Sequence, residues 1–436
     1  MDRMKRQWTG EDRIPKMSKS KDRPKADLLL SKAAELITCV SMGDDPIGRI
    51  ANGSLAIAGD RIVAAGPASE VASQVDAGDA TLIDARGKVV APGFVDCHTH
   101  LVFGGSRARE YALRLTKTAA AVEAMGFRTG IPATVEMTRA TSREELAGSS
   151  ARRLARMFRS GSTTVESKSG YGLSLSDELR ILEINRLLSS SHPPDVISTF
   201  MGAHDFPPEE NRNQYIEIIV NEMIPRVAEE GLAEFCDIYC DEGYYTVSET
   251  RRILEAGLSA GLRPKIHADA YSPTKATDLA CELGAVSCEH LNYTNPHQMR
   301  KMAEAGVVGV VLPALDFAVA HPKPFDARAM IDGGMVLALA TNLCPACWTE
   351  TMHFVMVLAC RRHGMSPEEA MLAATRGAAK AVARERDLGT LEPGKLADIQ
   401  VWDLAEFEEL IYRFDQNPVV AVIKRGKIEY QTEAQD

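Results

Sequence analysis

Between about Lys88 and Asp387, short apolar runs alternate with longer amphipathic stretches. Eight of the runs read as strands: Val89–His100, Ser162–Ser167, Val196–His204, Phe235–Cys240, Pro264–Ala268, Ala285–His290, Val307–Leu312 and Val336–Thr341. Stretches such as Ser176–Ser189, Thr246–Ser259, Pro273–Leu283 and Ala327–Gly333 repeat their apolar positions at helical spacing. Near-continuous apolar strands, each followed by a helix, are the signature of a parallel sheet buried on both faces. Eight such units predict an α/β fold, a (β/α)8 barrel over residues 88–387. An open doubly wound sheet is the other architecture compatible with the same pattern.

The two ends of the chain have a different texture. Ala33–Val40, Gly53–Ala58, Arg61–Ala65 and Thr81–Ile83 are short strand candidates punctuated by glycine and aspartate. Asp398–Trp402, Val419–Arg425 and Lys427–Tyr430 repeat that style near the C-terminus. Chain ends often lie close together, so residues 26–87 and 388–436 are expected to form one small β-sandwich domain. Residues 1–25, rich in Lys, Arg, Ser and Pro, read as a disordered basic tail.

Charge narrows the partners. A formal net charge of −10 argues against nucleic acid or an anionic membrane. The same field repels a small anionic substrate unless a local cation holds it. The nine cysteines are scattered, and only Cys344 and Cys347 form a C-x-x-C, without the second pair a zinc knuckle requires. Free thiols in a reducing cytoplasm are expected. No apolar run reaches the length of a membrane span.

Polar residues gather where the expected barrel strands end. The first closes on His98 and His100, the third on His204, the fifth on His267 and Asp269, the sixth on Glu289 and His290. The second runs into Lys168-Ser-Gly-Tyr-Gly172, the fourth into Asp241 and Glu242, the eighth into Asn342. Barrel enzymes build their active sites at these C-terminal strand ends. Side chains two apart on a strand share a face, so His98 and His100 project together. Neutral imidazoles suit zinc or iron, but two ligands do not make a site.

Several segments carry a family resemblance: Pro92-Gly-Phe-Val-Asp-Cys-His-Thr-His-Leu-Val-Phe-Gly104, Thr164-Val-Glu-Ser-Lys-Ser-Gly-Tyr-Gly-Leu173, Gly202-Ala-His204, Cys240-Asp-Glu-Gly-Tyr-Tyr245, Ile266-His-Ala-Asp269 and Gly389-Thr-Leu-Glu-Pro-Gly-Lys-Leu-Ala-Asp398. With these the chain resembles the imidazolonepropionase family of the metal-dependent amidohydrolase superfamily. The resemblance implies one divalent ion, Zn or Fe, on His98, His100 and His267, with His290 polarising the reacting group or moving a proton. It implies that Arg107 grips a substrate propionate and that Tyr171 and His204 line the ring pocket. Otherwise Arg107 is a surface salt-bridge partner, Tyr171 a core aromatic and His204 a packed strand end. Attack of water at ring C2 and a homodimer are further expectations of the resemblance.

The chain departs from that pattern where protons are moved. A glutamate expected three residues after His267 is Ala270, and an aspartate expected to touch the metal is Asn342. A pocket asparagine is replaced by Cys344; Met125–Ile131 replaces a glycine-rich loop, and Ala119-Ala-Ala121 the tyrosine upstream. Asn342 is expected to coordinate or hydrogen-bond through its carbonyl oxygen, but it has no acid proton to give. Asp241, Glu242 and Asp269 are the candidate substitutes. Three functions follow. One is sulfide release from the 2-thioxo ring 3-(5-oxo-2-thioxoimidazolidin-4-yl)propionate, of the kind met in ergothioneine breakdown, to give hydantoin propionate; the balance leans slightly this way. The second is conversion of 4-imidazolone-5-propionate to N-formimino-glutamate in histidine breakdown. The third is a non-catalytic ligand-binding relative or an inactivated variant.

Overall fold

The computed structural model describes residues 23–432. The basic tail expected over residues 1–25 falls, through residue 22, outside the described residues. Five strands precede the barrel: β1 Leu28–Ile37, β2 Arg49–Ala58, β3 Arg61–Pro67, β4 Thr81–Asp84 and β5 Val89–Pro92. The next eight, in chain order, are β6 Phe94–Asp96, β7 Ser162–Lys168, β8 Asp195–Ala203, β9 Phe235–Cys240, β10 Arg263–Ala268, β11 Ser287–His290, β12 Val308–Val311 and β13 Leu337–Leu339. Three strands finish the chain: β14 Ile399–Trp402, β15 Val419–Lys424 and β16 Lys427–Gln431.

β6 to β13 pair in sequence order, all in parallel. The ring closes just past the strand ends, where Asn342 N–H donates to His98 O (3.1 Å) and His100 N–H donates to Leu343 O (2.9 Å). Thr341 strengthens the seam, its N–H and hydroxyl reaching the two oxygens of Asp96 at 3.1 and 2.6 Å. Every residue of β6, β7, β9, β11, β12 and β13 is buried, as expected for strands covered by helices outside and side chains inside. Helices such as Arg143–Arg159 and Val247–Ser259 open with capping boxes, Ser142 with Glu145 and Thr246 with Glu249. Among the described residues no helix is long and apolar enough to cross a membrane.

The chain ends meet in a second sheet ordered β16-β15-β14-β5-β1-β2-β3, with β4 on β1. Where two facing sheets were expected, the hydrogen bonds form one continuous path. Alternation along β1 sends Leu28 and Leu30 to one apolar cluster and Leu29 to another, so each face is covered. β1 starts earlier than the expected Ala33–Val40, because the Leu28–Leu30 run pairs with β2 across a bulge at Lys32 (φ 58°).

The run Val89–His100, expected as one barrel strand, is two. β5 pairs with β1 and β14 in the end sheet, and only β6 enters the barrel. The break is Pro92-Gly93. Gly93 N–H donates to Asp398 O (2.9 Å), and a β-carbon there would sit 2.4 Å from the Thr163 side chain. The strand that leads into His98 and His100 is thereby fixed to the end sheet through a glycine that no larger residue can replace without displacing the Thr163 side chain of β7.

Candidate metal centre

The expected histidines converge. One ligating nitrogen each from His98, His100 and His267 lies within 4.8 Å of the others, and all three residues are buried. The His98 and His267 ring centroids are 4.6 Å apart, and His290 lies 5.0 Å from His267 and 5.7 Å from His98. Each of the three histidines turns Nδ1 toward an oxygen of the barrel wall. His100 Nδ1 faces Ser169 O at 3.2 Å, His267 Nδ1 faces Asp237 Oδ1 at 3.1 Å, and His98 Nδ1 lies 2.6 Å from Glu289 Oε2. For His100 and His267 a proton on Nδ1 leaves Nε2 as a bare lone pair; His98 Nδ1, although close to Glu289, makes no hydrogen bond. His98 Nε2 and His267 Nε2 are buried with no hydrogen-bond partner, an arrangement that a cation satisfies and an apolar core does not. Burial, then the Lys168 charge, holds His98 well below the usual imidazole range; burial, then His204, does the same for His100. Three imidazoles on one point fit a divalent ion of the zinc or iron type.

Backbone strain concentrates at the same rim. Asp269, His290 and Asn342 all have left-handed φ, at 53°, 76° and 49°. Such conformations cost on the order of 1–3 kcal/mol each and persist where neighbours over-determine them. Asp269 is held by Thr274 and Thr294, and Asn342 by its bond to His98.

The ring pocket is built from the other expected residues. His204 stacks on His100 at 4.6 Å with planes 6° apart, and Tyr171 approaches both rings at 5.1 and 5.2 Å. Glu178 holds the Tyr171 loop by accepting from the backbone N–H groups of Gly170, Gly172 and Leu173 at 2.7 to 2.9 Å. Gly170 (φ 105°) is required there, since a β-carbon would fall 2.8 Å from His204 Cβ. The Tyr171 hydroxyl meets the buried Cys344 sulfur, and burial pushes both groups up, so both keep their protons. Cys344 itself sits in a tight turn, its N–H and C=O paired with those of Cys347 at 3.1 Å. The C-x-x-C is therefore a hairpin corner with both thiols free.

Arg107 reaches this pocket's edge near Tyr171 and Cys344, but its Nε–Nη2 edge forks onto the buried Glu110. Glu110 was not legible as a site residue; its only signal is the helical spacing of three from Arg107. The proposed substitutes for the missing carboxylates are not brought into the site as free groups. Asp241 is bound by Tyr271 N–H, Glu242 N–H and Ser272, Asp269 by Thr274 and Thr294, and Glu242 is exposed. Ala270 lies in a small apolar cluster with Met201 and Tyr239. The wall where a glutamate was expected is apolar.

Beneath the histidines lie charges to which the sequence gave no role. Lys168, Lys265, Glu166, Asp237 and Glu289 all have fully buried side chains. Their signal was present, a charge inside strands otherwise apolar, because such a residue has to be paired.

The amidohydrolase family's sequence profile matches residues 81–130 and 116–430. The imidazolonepropionase of Geobacillus kaustophilus is 43% identical over 414 residues, covering 92% of this chain and 97% of the relative. That of Geobacillus thermodenitrificans is 44% identical with the same coverage. This chain belongs to the imidazolonepropionase family of the amidohydrolase superfamily. Solved structures share its fold: a zinc-bound adenosine deaminase from Xanthomonas campestris superposes with a TM-score of 0.72 at 17% identity, covering 94% of each chain. The zinc complex of an atrazine chlorohydrolase from Arthrobacter aurescens gives 0.67 at 16% identity, covering 93% of this chain and 95% of that one. Family membership and the histidine cluster together make this imidazolonepropionase relative a metal-dependent hydrolase, in place of the non-catalytic alternative.

Proposed function

We propose that the chain hydrolyses a five-membered nitrogen heterocycle bearing a propionate, and that this ring is 3-(5-oxo-2-thioxoimidazolidin-4-yl)propionate. The observation that carries the choice is that the strand-end carboxylates are already bound by backbone and side-chain donors, while positions 270 and 342 are Ala and Asn. A site without a free carboxylate favours the leaving group with the smaller proton demand: a sulfur carrying one proton departs as stable hydrosulfide, whereas a ring nitrogen needs a strong acid to help it leave.

A divalent cation on His98, His100 and His267, zinc in this reading and iron in the alternative, supplies a Lewis acid and lowers the pKa of water. His290 is kept neutral by burial, then by the nearby His267, and so is free to accept the proton of the attacking water. Tyr171 and Cys344 place an O–H and an S–H side by side where they can donate to the sulfur as its charge grows. His204 and Tyr171 line one side of the ring's pocket, and Arg107 meets the propionate. A C–O bond forms at C2 as His290 takes one proton of the water, and that proton then passes to the sulfur. The C–S bond breaks, sulfur leaves as hydrosulfide, the new hydroxyl loses its own proton to the freed imidazole, and hydantoin propionate remains.

The names of the relatives support a second reading, 4-imidazolone-5-propionate to N-formimino-glutamate. That product keeps ring C2 as its formimino carbon, so the bond broken joins the ring carbonyl carbon to its nitrogen. The C2 expectation thus applies to the thioxo ring alone. The departing nitrogen needs a proton, and His290, once it has taken one from the attacking water, is placed over the histidine triad to deliver it. Zinc-loaded protein given both compounds separates the readings. Sulfide release with little loss of imidazolone absorbance is expected; rapid imidazolone turnover with no sulfide overturns the thioxo assignment.

A further inference from the structure

Lys168 sits in the barrel floor directly under the histidines. Its Nζ is 2.8 Å from Asp237 Oδ2, 3.0 Å from Glu166 Oε1 and 3.0 Å from Glu289 Oε2. Two of these carboxylates are the ones that orient metal-binding histidines. Glu289 Oε2 is also 2.6 Å from His98 Nδ1, and Asp237 Oδ2 is 3.1 Å from His267 Nδ1. Lys265 completes the floor, 2.8 Å from Glu166 Oε1 and 3.7 Å from Glu289 Oε1.

Three carboxylates face two ammonium groups in a region with no solvent exposure. The net charge of this group is −1, and without Lys168 it becomes −2. Buried charge of that size has to be compensated by a cation or by protonation. Asp237, His267 and Glu289 already hold ligand atoms within 4.8 Å of one another, and Glu166 Oε2 is buried without a hydrogen-bond partner. The floor therefore has the donor set of a cation site, and an ammonium group fills it. Its contacts are longer than the roughly 2.0–2.6 Å that a divalent ion takes from carboxylate oxygens. A movement of about half an ångström by each carboxylate spans that difference.

We propose that Lys168 is a resident counter-cation that occupies the place of a second divalent ion, limits the barrel to one, and positions Asp237 and Glu289 against His98 and His267. It is a positioning residue, and the proposal rests on the reading of His98, His100 and His267 as a metal centre. The test is zinc stoichiometry of the metal-stripped protein after incubation with excess zinc and desalting, for wild type, Lys168→Ala and Lys168→Ala/Glu166→Gln. The double variant restores the wild-type floor charge, so it keeps the test open where the single variant does not fold. Circular dichroism verifies folding of each. Wild type is expected to retain about one zinc per chain and the folded variants about two, since both vacate the place of the ammonium between Asp237 and Glu289. One zinc in both wild type and a folded variant overturns the proposal alone. No zinc in the wild type overturns the metal reading and the proposal with it, and two in the wild type overturns the claim that Lys168 excludes a second ion.

Discussion

The backbone N–H of Asn342 donates to the carbonyl oxygen of His98 at 3.1 Å, which lays the residue that departs from the family pattern against the first metal-binding strand. Asparagine tolerates the left-handed φ of 49° found there, and aspartate does so equally well. The replacement of a carboxylate by an amide thus changes proton chemistry with little demand on the backbone. Asn342→Asp is expected to fold as the wild type does. Combined with Ala270→Glu, it should raise turnover of 4-imidazolone-5-propionate by roughly 10²-fold or more, the usual worth of a restored general acid–base group. Kinetics on wild type, the single variant and the double variant decide this. A wild type that already matches the double variant on that substrate contradicts the proton-transfer argument. Ala270→Glu puts a carboxylate beside Met201 and Tyr239, so its melting temperature is expected to fall even where activity rises.

Metal removal separates binding from folding. Asp237 and Glu289 are ion-paired with Lys168 as well as lying against the histidines, so the barrel floor stays paired when the ion leaves. Chelator-treated protein is expected to remain folded by circular dichroism, with a lower melting temperature. The shift should follow ligand linkage, about 2.7 kcal/mol when free ion stands at a hundred times its dissociation constant. His267→Ala should lose the ion and show no further shift on chelation. A metal-free protein that is unfolded in buffer would show that the ion, rather than the buried lysines, holds this floor together.

The two halves of the structure were legible to different degrees. β9 is legible residue for residue as Phe235–Cys240, because a strand buried on both faces leaves an apolar run, here interrupted by Asp237 alone, with sharp polar ends. The His98, His100, His267 and His290 cluster was legible because strand ends in a barrel converge. Val89–His100 was not resolvable into β5 and β6, since both halves are apolar and buried and differ only in which sheet they join. The pairing of Lys168 with Asp237 and Glu289 was invisible for a related reason. Asp237 and Glu289 lie on other strands, and only the closed ring brings them within 3.1 Å of Lys168; Glu166, two residues before it on β7, is the one partner that strand alternation alone places beside it.

One electrostatic prediction concerns stability away from the site. Glu249 completes the capping box of helix Val247–Ser259 and is forked by Arg212, whose hydrogen bond first, and then the N-cap contacts of Thr246, hold its carboxyl down to about 2 against the opposing effect of burial. A carboxylate with a lowered folded pKa stabilises fully above its unfolded value of about 4.3 and loses that contribution as pH falls toward 2. Glu249→Gln keeps a capping acceptor but not the charge. It is expected to melt lower than wild type at pH 7, by an amount equivalent to about 0.2–1 kcal/mol for a partly solvated pair. The difference should shrink steadily below pH 4. A difference that stays constant down to the acid limit would mean that packing, not charge, supplies the effect.

Arg107 and Glu110 set up the most direct test of substrate anchoring. The Arg107 fork is engaged by Glu110 at 2.8 Å through Nη2 and again through Nε, with both side chains largely out of solvent. Any propionate bound there competes with a resident carboxylate for the same guanidinium. Arg107→Met removes a charge-assisted contact worth about 1.5–3 kcal/mol, so KM for a propionate-bearing substrate should rise roughly 10- to 150-fold with a smaller change in kcat. Arg107→Lys should recover only part of this, because an ammonium cannot make the bidentate contact. Glu110→Gln should act in the opposite direction and lower KM, since it withdraws the competing charge while keeping a side chain of the same size. Steady-state kinetics with the propionate substrate and with its uncharged amide analogue distinguish anchoring from a general structural effect. The amide should be nearly indifferent to all three substitutions. Equal losses on both compounds would place Arg107 in the scaffold of the Ala108–Arg114 helix and leave the propionate to another residue.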